Sequence, residues 1–224
     1  MAFDLVEVGH DVGERLETRH PHHVLRAVHG ERPAAGNRGG DLVEGEREHD
    51  EGGPGRIFPV ETVRDAVGNL FGLTWNMSRA AAPHLKPGSS IVNVSTIFSR
   101  TRYYGRAPYV VPKAALNTFS RHLAMQLGPK GIRVNGVSPG PIESERIHNV
   151  FAAMDGLKKV PAGATANDFL GIMALARDDA NTGEPKRTFP TIDDVANTIV
   201  FLGSDESRAF AAHGFEVTNG MQVW

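Results

Sequence analysis

The stretch from Ile91 to Ser144 constrains the fold most, because two strand-like runs flank a long helical pattern there. Apolar and β-branched residues over 90–94 predict a buried strand, and Ile132–Val137 predicts a second one. Between them, Tyr109–Leu127 carries apolar residues at helical spacing and stops at a Gly-Pro pair. Two strands joined through a helix form a parallel pair with a right-handed crossover. The stretch therefore predicts one βαβ unit of a parallel sheet.

The same alternation of helices and strands continues on both sides of this unit. Apolar residues recur at spacings of three and four from Val63 to Ala81, which predicts a helix. Residues 145–177 indicate two short helices, Thr191 begins a further helix with an N-cap signature, and 215–217 is a last short strand. We predict an α/β domain over residues 57–224 with three parallel strands. So narrow a sheet indicates that part of the fold is missing or supplied by a partner.

Residues 1–56 differ in composition from the rest of the chain. They hold six of the ten histidines and few apolar residues, with neither a helical nor a strand period. We predict that they are disordered or irregular, with one short element at Phe3–Val8. The histidines at 20–23 have no helical spacing and no accompanying set of carboxylates, so we predict no metal site.

Composition excludes several classes of protein. The formal net charge is −2, which gives no field for nucleic acid or for an anionic membrane. The chain has no cysteine, so disulfides and thiolate chemistry are excluded. No basic segment followed by an apolar run begins the chain, and no apolar run approaches the roughly 20 residues of a membrane span. We expect a soluble cytoplasmic protein with no nucleic-acid or membrane partner.

Candidate chemistry lies in the loop and helix after the first strand of the unit. Tyr109 and Lys113 are four residues apart and share a helix face. A phenol titrates near pH 10, and a nearby ammonium favours the phenolate, so the pair suits proton donation to a carbonyl oxygen. Ser95 and Thr96 end the strand, and ligands of open parallel sheets bind beyond those ends. Pro139-Gly140 ends the next strand at the same edge, where a backbone can approach a flat cofactor ring.

Four motifs resemble those of the short-chain dehydrogenase/reductase family. The resemblance covers about residues 57–224 and implies the C-terminal portion of a Rossmann-like doubly wound parallel sheet, with a lid at about 145–187. It also implies NADP as cofactor, with NAD not excluded, and a homodimer formed through the helices at 60–85 and 109–127. The motifs are Asn93-Val94-Ser95-Thr96, Tyr109-x-x-x-Lys113-Ala114-Ala115-Leu116, Gly131-Ile132-Arg133-Val134-Asn135 and Pro139-Gly140-Pro141-Ile142-x-Ser144.

By this resemblance, four residues match the catalytic tetrad of the family. Tyr109 is the expected proton donor, Lys113 lowers its pKa and binds the nicotinamide ribose, and Asn69 holds a water of the proton relay. Thr96 stands where the family usually has serine, and Ser95 or Ser99 could act in its place. The residues expected to contact the cofactor are Tyr109, Lys113, Pro139, Gly140, Ile142 and Ser144.

The resemblance narrows to the first short-chain domain of the bifunctional malonyl-CoA reductases, a branch of this family. It implies NADPH-dependent reduction of a small carbonyl, malonic semialdehyde, to 3-hydroxypropionate. A short aldehyde that carries a carboxylate needs a cation near the pocket, and the alternative for each candidate is a solvated loop charge. The substrate candidates are Ser95, Ser99, Arg100, Arg106 and Arg146.

The glycine-rich turn that holds the cofactor pyrophosphate in this family has no counterpart in the sequence. Gly36–Gly40 is glycine-containing, but no strand pattern precedes it and no helix pattern follows it. Either residues 1–56 are unrelated to the fold, or the cofactor half has degenerated. The alternative function is a truncated or non-catalytic module, and we expect this chain alone to bind NADPH weakly.

Overall fold

The central sheet has four parallel strands. The structure is a computed structural model that describes residues 58–100, 106–178 and 182–221, together with the backbone of Val24–Ala27. The sheet order is β1-β2-β3-β6, and a separate antiparallel hairpin pairs β4 with β5. The strands are β1 Val24–Ala27, β2 Ser90–Val94, β3 Arg133–Pro139, β4 Ala176–Asp178, β5 Pro185–Arg187 and β6 Gly214–Val217.

Helices cover both faces of this sheet and form the lid. Among the described residues there are also 3₁₀ turns at Ala82–His84, Ile97–Arg100, Gly128–Lys130 and Asp205–Ser207. No helix of the described part of the chain has the length and apolar content needed to cross a membrane. The helices are α1 Val60–Ala66, a π-helical segment Val67–Gly72, α2 Leu73–Ala81, α3 Ala107–Leu127, α4 Glu145–Lys158, α5 Ala164–Gly171 and α6 Ile192–Gly203.

The predicted α/β class with a parallel sheet is confirmed, and β2 has the predicted bounds. The three parallel strands predicted within residues 57–224 are all present, and β1 adds a fourth to the sheet because it pairs in parallel with β2 along its whole length. β1 lies within the segment predicted to be irregular, and four residues are too few to show a period. The rest of residues 1–56, including Phe3–Val8, lies outside the described residues.

Two layers of apolar contacts sandwich the sheet. Successive side chains of β2 point to opposite faces, so Ile91 packs under α3 while Val92 packs under α6. α6 begins at the predicted N-cap: Thr191 and Asp194 form a reciprocal capping box. The two faces are therefore buried as a parallel sheet requires.

α3 carries the residues expected to do chemistry. It begins at Ala107, two residues earlier than predicted, with Pro108 in its first turn. Pro112 consequently lies in the second turn, where its ring cannot donate a hydrogen bond to the carbonyl of Pro108. Pro112 is buried against the sheet side of the helix.

The lid has its own apolar core. α4 and α5 are the two short helices predicted within 145–177, joined through the predicted Pro-Ala-Gly loop. Asp155 joins them, because its carboxylate accepts from the backbone N–H groups of Gly163 (2.7 Å) and Thr165 (2.8 Å) at the start of α5. The lid helices are followed by the β4–β5 pair, in which Ala176–Asp178 runs antiparallel to Pro185–Arg187.

Candidate active site

Lys113 lies in the sheet-facing side of α3, almost completely buried at 4% exposure. Its Nζ donates a hydrogen bond to the carbonyl of Val94, the last residue of β2, over 2.9 Å. Burial lowers the pKa of this ammonium from 10.5 to about 8, because the charged form loses its hydration. A donor is thus held at the carboxyl end of the strand, where parallel sheets bind ligands.

Tyr109 stands one helical turn before Lys113 and meets the side chain of Thr96. The Thr96 side chain lies close enough to the phenol to affect its ionisation. Burial raises the pKa of the phenol above its ordinary value, while hydrogen bonding by Thr96 and the charges of Arg146 and Arg106 lower it in part. The residue as a whole is 38% exposed, so part of its ring remains accessible to a ligand.

The hydroxyls of Ser95 and Ser99 have other partners. Ser95 Oγ donates to the carbonyl of Lys113 over 2.9 Å and so fastens the end of β2 to α3. Ser99 Oγ donates to the carbonyl of Thr96 (2.7 Å) and accepts from Asn117 Nδ2 (2.7 Å). Thr96 is therefore the hydroxyl residue of the three that meets the phenol.

Asn117 was missed in the sequence, although a signal was available. It lies four residues after Lys113, on the same helix face, and its amide fixes the Ser99 hydroxyl in the loop that carries Thr96. Thr96 Oγ1 also receives the backbone N–H of Phe98 over 3.3 Å. The loop conformation around the hydroxyl pair is thus set by side chains of α3 and by its own backbone.

The residues after β3 have internal bonding partners. Gly140 N–H donates to the carbonyl of Val217 (3.0 Å), and a Cβ at Gly140 would lie 3.4 Å from the Thr218 side chain. Ser144 is the N-cap of α4, accepting from the N–H of Ile147. Pro139 offers its carbonyl to Thr96 Oγ1 at 3.4 Å, and Ile142 is half-buried. Their contact with a cofactor stays a prediction.

The three arginine candidates occupy different environments. Arg100 forms an ion pair with Glu216 of β6, with Nη1 and Oε1 2.6 Å apart. Arg106 and Arg146 instead lie close enough to Tyr109 to lower the pKa of its phenol. The structure thus brings two of the three predicted cations to the hydroxyl pair.

Known proteins share this arrangement of sequence and fold. A family profile described as enoyl-(acyl carrier protein) reductase matches residues 67–174. An uncharacterized oxidoreductase of Methylorubrum extorquens is 33% identical over 167 residues, which are 75% of this chain and 56% of that protein. The 7alpha-hydroxysteroid dehydrogenase of Clostridium sardiniense is 32% identical over 148 residues, 65% of this chain and 48% of that protein.

A solved structure extends the similarity to the fold. The N-domain, with NADP, of a bacterial malonyl-CoA reductase is 54% identical, with a TM-score of 0.68 over 82% of this chain and 32% of that one. The resemblance to the short-chain dehydrogenase/reductase family is confirmed. It spans about half the length of the curated relatives. The resemblance to malonyl-CoA reductase seen in the sequence is confirmed.

Asn69, the fourth residue matched to the short-chain dehydrogenase/reductase tetrad, is not in contact with the other three. It lies in the π-helical segment, which packs beside α3, and its side chain is exposed. Within the described residues its amide has no hydrogen-bond partner. π turns occur frequently at functional sites, so the position suits a role, but that role stays a prediction.

The described residues fit one end of the nicotinamide cofactor of this short-chain dehydrogenase/reductase. The Lys113 ammonium and the Tyr109 hydroxyl offer donors at one sheet edge, as the ribose hydroxyls beside a nicotinamide ring require. At the same edge, the described part of the chain has no glycine-rich turn joining a strand to a helix that would hold a pyrophosphate. Tyr109 and Lys113 are therefore the residues that would hold the nicotinamide end.

Proposed function

We propose that this chain carries the proton-donating site of an NADPH-dependent reductase that converts malonic semialdehyde to 3-hydroxypropionate. The observation that carries the proposal is the contact of Tyr109 with Thr96, one helical turn from the buried ammonium of Lys113. When bound, NADPH supplies the hydride. The similarity to the malonyl-CoA reductase N-domain supports the choice of substrate.

The phenol of Tyr109 gives its proton to the carbonyl oxygen as that oxygen becomes an alkoxide. Burial keeps the pKa of the phenol raised, so it is protonated at neutral pH and ready to donate. With substrate bound, the Thr96 hydroxyl would donate a second hydrogen bond to the same oxygen in place of its long bond to the Pro139 carbonyl. Lys113, still mostly charged at pH 7 with a pKa of about 8, stabilises the phenolate that remains.

Arg106 and Arg146 supply the cations that a short carboxylate aldehyde needs. Both act electrostatically on Tyr109, so they lie on the side where the substrate would sit. Arg100 is a weaker candidate because its guanidinium pairs with Glu216. Ser95 and Ser99 are weaker too, because their hydroxyls donate to backbone carbonyls over 2.9 and 2.7 Å, whereas the bond from Thr96 to the Pro139 carbonyl is longer, at 3.4 Å.

Replacing Tyr109 with Phe tests the proton donor. We expect NADPH oxidation with malonic semialdehyde to fall by about 10²–10⁴-fold, the usual contribution of general acid catalysis. Val111→Ala, an exposed change in the same region of α3, is the matched control and should keep its activity. Activity that survives in Tyr109→Phe would show that another group donates the proton.

A second function is favoured by the absence, within the described residues, of a turn that would hold the pyrophosphate. If no turn of this chain holds the pyrophosphate, the domain acts by pairing with another chain and binds the dinucleotide weakly by itself. Calorimetric titration with NADPH separates the two proposals. Tight saturable binding supports a self-sufficient reductase, whereas no binding together with a defined dimer in light scattering supports the pairing module.

The proposed partner for such pairing is a second copy of this chain. Phe71, Trp75 and Phe119 form an aromatic cluster that joins the π-helical segment, α2 and α3, with ring centroids 4.9 to 6.0 Å apart. Trp75 is nevertheless 48% exposed and Leu73 46% exposed. Exposed aromatic residues of this kind favour an interface with another protein surface.

A further inference from the structure

Three phenylalanine rings form a continuous row under the lid, which we call the lid aromatic row: Phe98, Phe169 and Phe151. The Phe98 ring meets the edge of Phe169 with centroids 6.0 Å apart, and Phe169 stacks on Phe151 at 5.1 Å. Phe189 continues behind Phe151, with centroids 5.5 Å apart. These rings belong to the apolar core of the lid. Their contacts make this core closely packed.

One end of the lid aromatic row adjoins the hydroxyl pair of the proposed site. Phe98 donates its backbone N–H to Thr96 Oγ1, so the row begins two residues from the hydroxyl that meets Tyr109. On the α4 side, Ile147 packs against the same lid core, and its neighbour Arg146 acts on the Tyr109 phenol. The lid aromatic row therefore begins beside the Thr96 hydroxyl, and the helix that carries Arg146 contributes to the same lid core.

We infer that the lid aromatic row is the back wall of the substrate site and limits the substrate to about three carbons. This inference rests on the proposed function. When the carbonyl lies on the hydroxyl pair and the carboxylate lies near Arg146, both ends of the substrate are fixed. Each further methylene must then bulge towards Phe98, whose ring is backed by Phe169 and cannot retreat without displacing it.

Phe169 is the ring that decides the length. It is the only member of the row that contacts both of the others, so its removal opens space directly behind Phe98. Phe189 is a matched control in the same apolar core: it is 2% exposed, and its ring contact is with Phe151, on the far side of the row. Its removal opens space on the Phe151 side of the row.

The test measures binding without turnover. 3-Hydroxypropionate, 4-hydroxybutyrate and 5-hydroxypentanoate are titrated into the full chain with NADP⁺ present, and ligand binding is followed by saturation-transfer NMR. For the unaltered chain we expect affinity to fall about tenfold with each added methylene. Phe169→Ala should reduce the difference between the shortest and longest ligands to below about threefold, mainly through tighter binding of the longest. Phe189→Ala should keep the original order.

Phe169→Leu is a second variant in case Phe169→Ala does not fold, because leucine keeps an apolar contact with a smaller side chain. It should shift the preference in the same direction by a smaller factor, and all variants are checked for a cooperative melt. The proposed wall would be refuted if Phe169→Ala and Phe189→Ala improved binding of the longer ligands equally. It would also be refuted if both Phe169 variants kept the original preference for the shortest ligand. Equal binding of all three ligands to the unaltered chain overturns the wall alone, whereas binding of none overturns the proposed substrate class as well.

Discussion

Replacing Lys113 with Met should make the protein more stable while removing a residue of the proposed site. The folded chain releases the Lys113 proton near pH 8, whereas an unfolded lysine holds it to about 10.5. Between these values the unfolded state binds more protons, so the free energy of unfolding rises with pH. Below pH 8 both states are charged, and the folded state carries the full cost of the desolvated ammonium.

The lowered pKa sets the size of the effect. A difference of 2.5 between 10.5 and 8 corresponds to about 3.4 kcal/mol at low pH, at about 1.36 kcal/mol per unit. The linkage relation gives a gain of about 2 kcal/mol for the unaltered chain between pH 7 and pH 9.5. Met leaves the Val94 carbonyl without the Nζ donor, which costs about 1–3 kcal/mol. The net gain for Lys113→Met at pH 7 is therefore about 0.4–2.4 kcal/mol.

Urea unfolding at pH 7 and at pH 9.5 measures both quantities. The difference between Lys113→Met and the unaltered chain should change by about 2 kcal/mol over this interval, and taking the difference cancels the other titrating groups. Lys130→Met removes an exposed lysine and should show no such change. If the Lys113→Met difference is the same at both pH values, the ammonium is not desolvated as its burial implies, and the reasoning is refuted.

Two further changes test the lid and the exposed aromatic face. Hydrogen bonds from Thr165 lower the pKa of the Asp155 carboxylate, so this group stabilises the fold above its unfolded pKa and loses that contribution as pH falls. Asp155→Asn should therefore lower the melting temperature at pH 7 and make the melting temperature fall less steeply in acid. The exposed control Asp168→Asn should change neither. Trp75→Lys should shift the mass measured by light scattering from dimer towards monomer, because the interface would then bury an unpaired charge. Val200→Lys, at an exposed position of α6, should leave the mass unchanged. An unchanged mass in Trp75→Lys would show that this face is not part of the interface.

Periodic, buried elements were predictable from the sequence, and short or irregular ones were not. β2 and α3 have long apolar patterns and were placed to within two residues. β1 has four residues and forms only because β2 offers a parallel edge, which is a tertiary cause. The β4–β5 strands have three residues each and are mostly charged, so they carry no apolar alternation that a sequence can reveal.

The residues of the candidate site likewise divide into those that the sequence predicts and those that only the structure identifies. Tyr109 and Lys113 follow from helical spacing, and the structure places them one turn apart. Which of Ser95, Thr96 and Ser99 can serve as the catalytic hydroxyl depends on how closely each hydroxyl is hydrogen-bonded to a backbone carbonyl. No spacing rule in the sequence contains that information. Likewise, the sequence does not distinguish the three arginine candidates, whereas the structure pairs Arg100 with Glu216 on a strand distant in the sequence.

The π-helical segment has a consequence for how the surrounding helix can evolve. A π turn holds one residue more than an α turn, and one residue rotates a helix by about 100°. Val67–Gly72 therefore absorbs an extra residue and keeps the faces of α1 and α2 in phase, with Asn69 inside it. Deleting a single residue there should restore regular α-helical hydrogen bonds and leave both faces in place. The same deletion within α1 or α2, where no π turn absorbs it, would turn the two faces apart by about 100°.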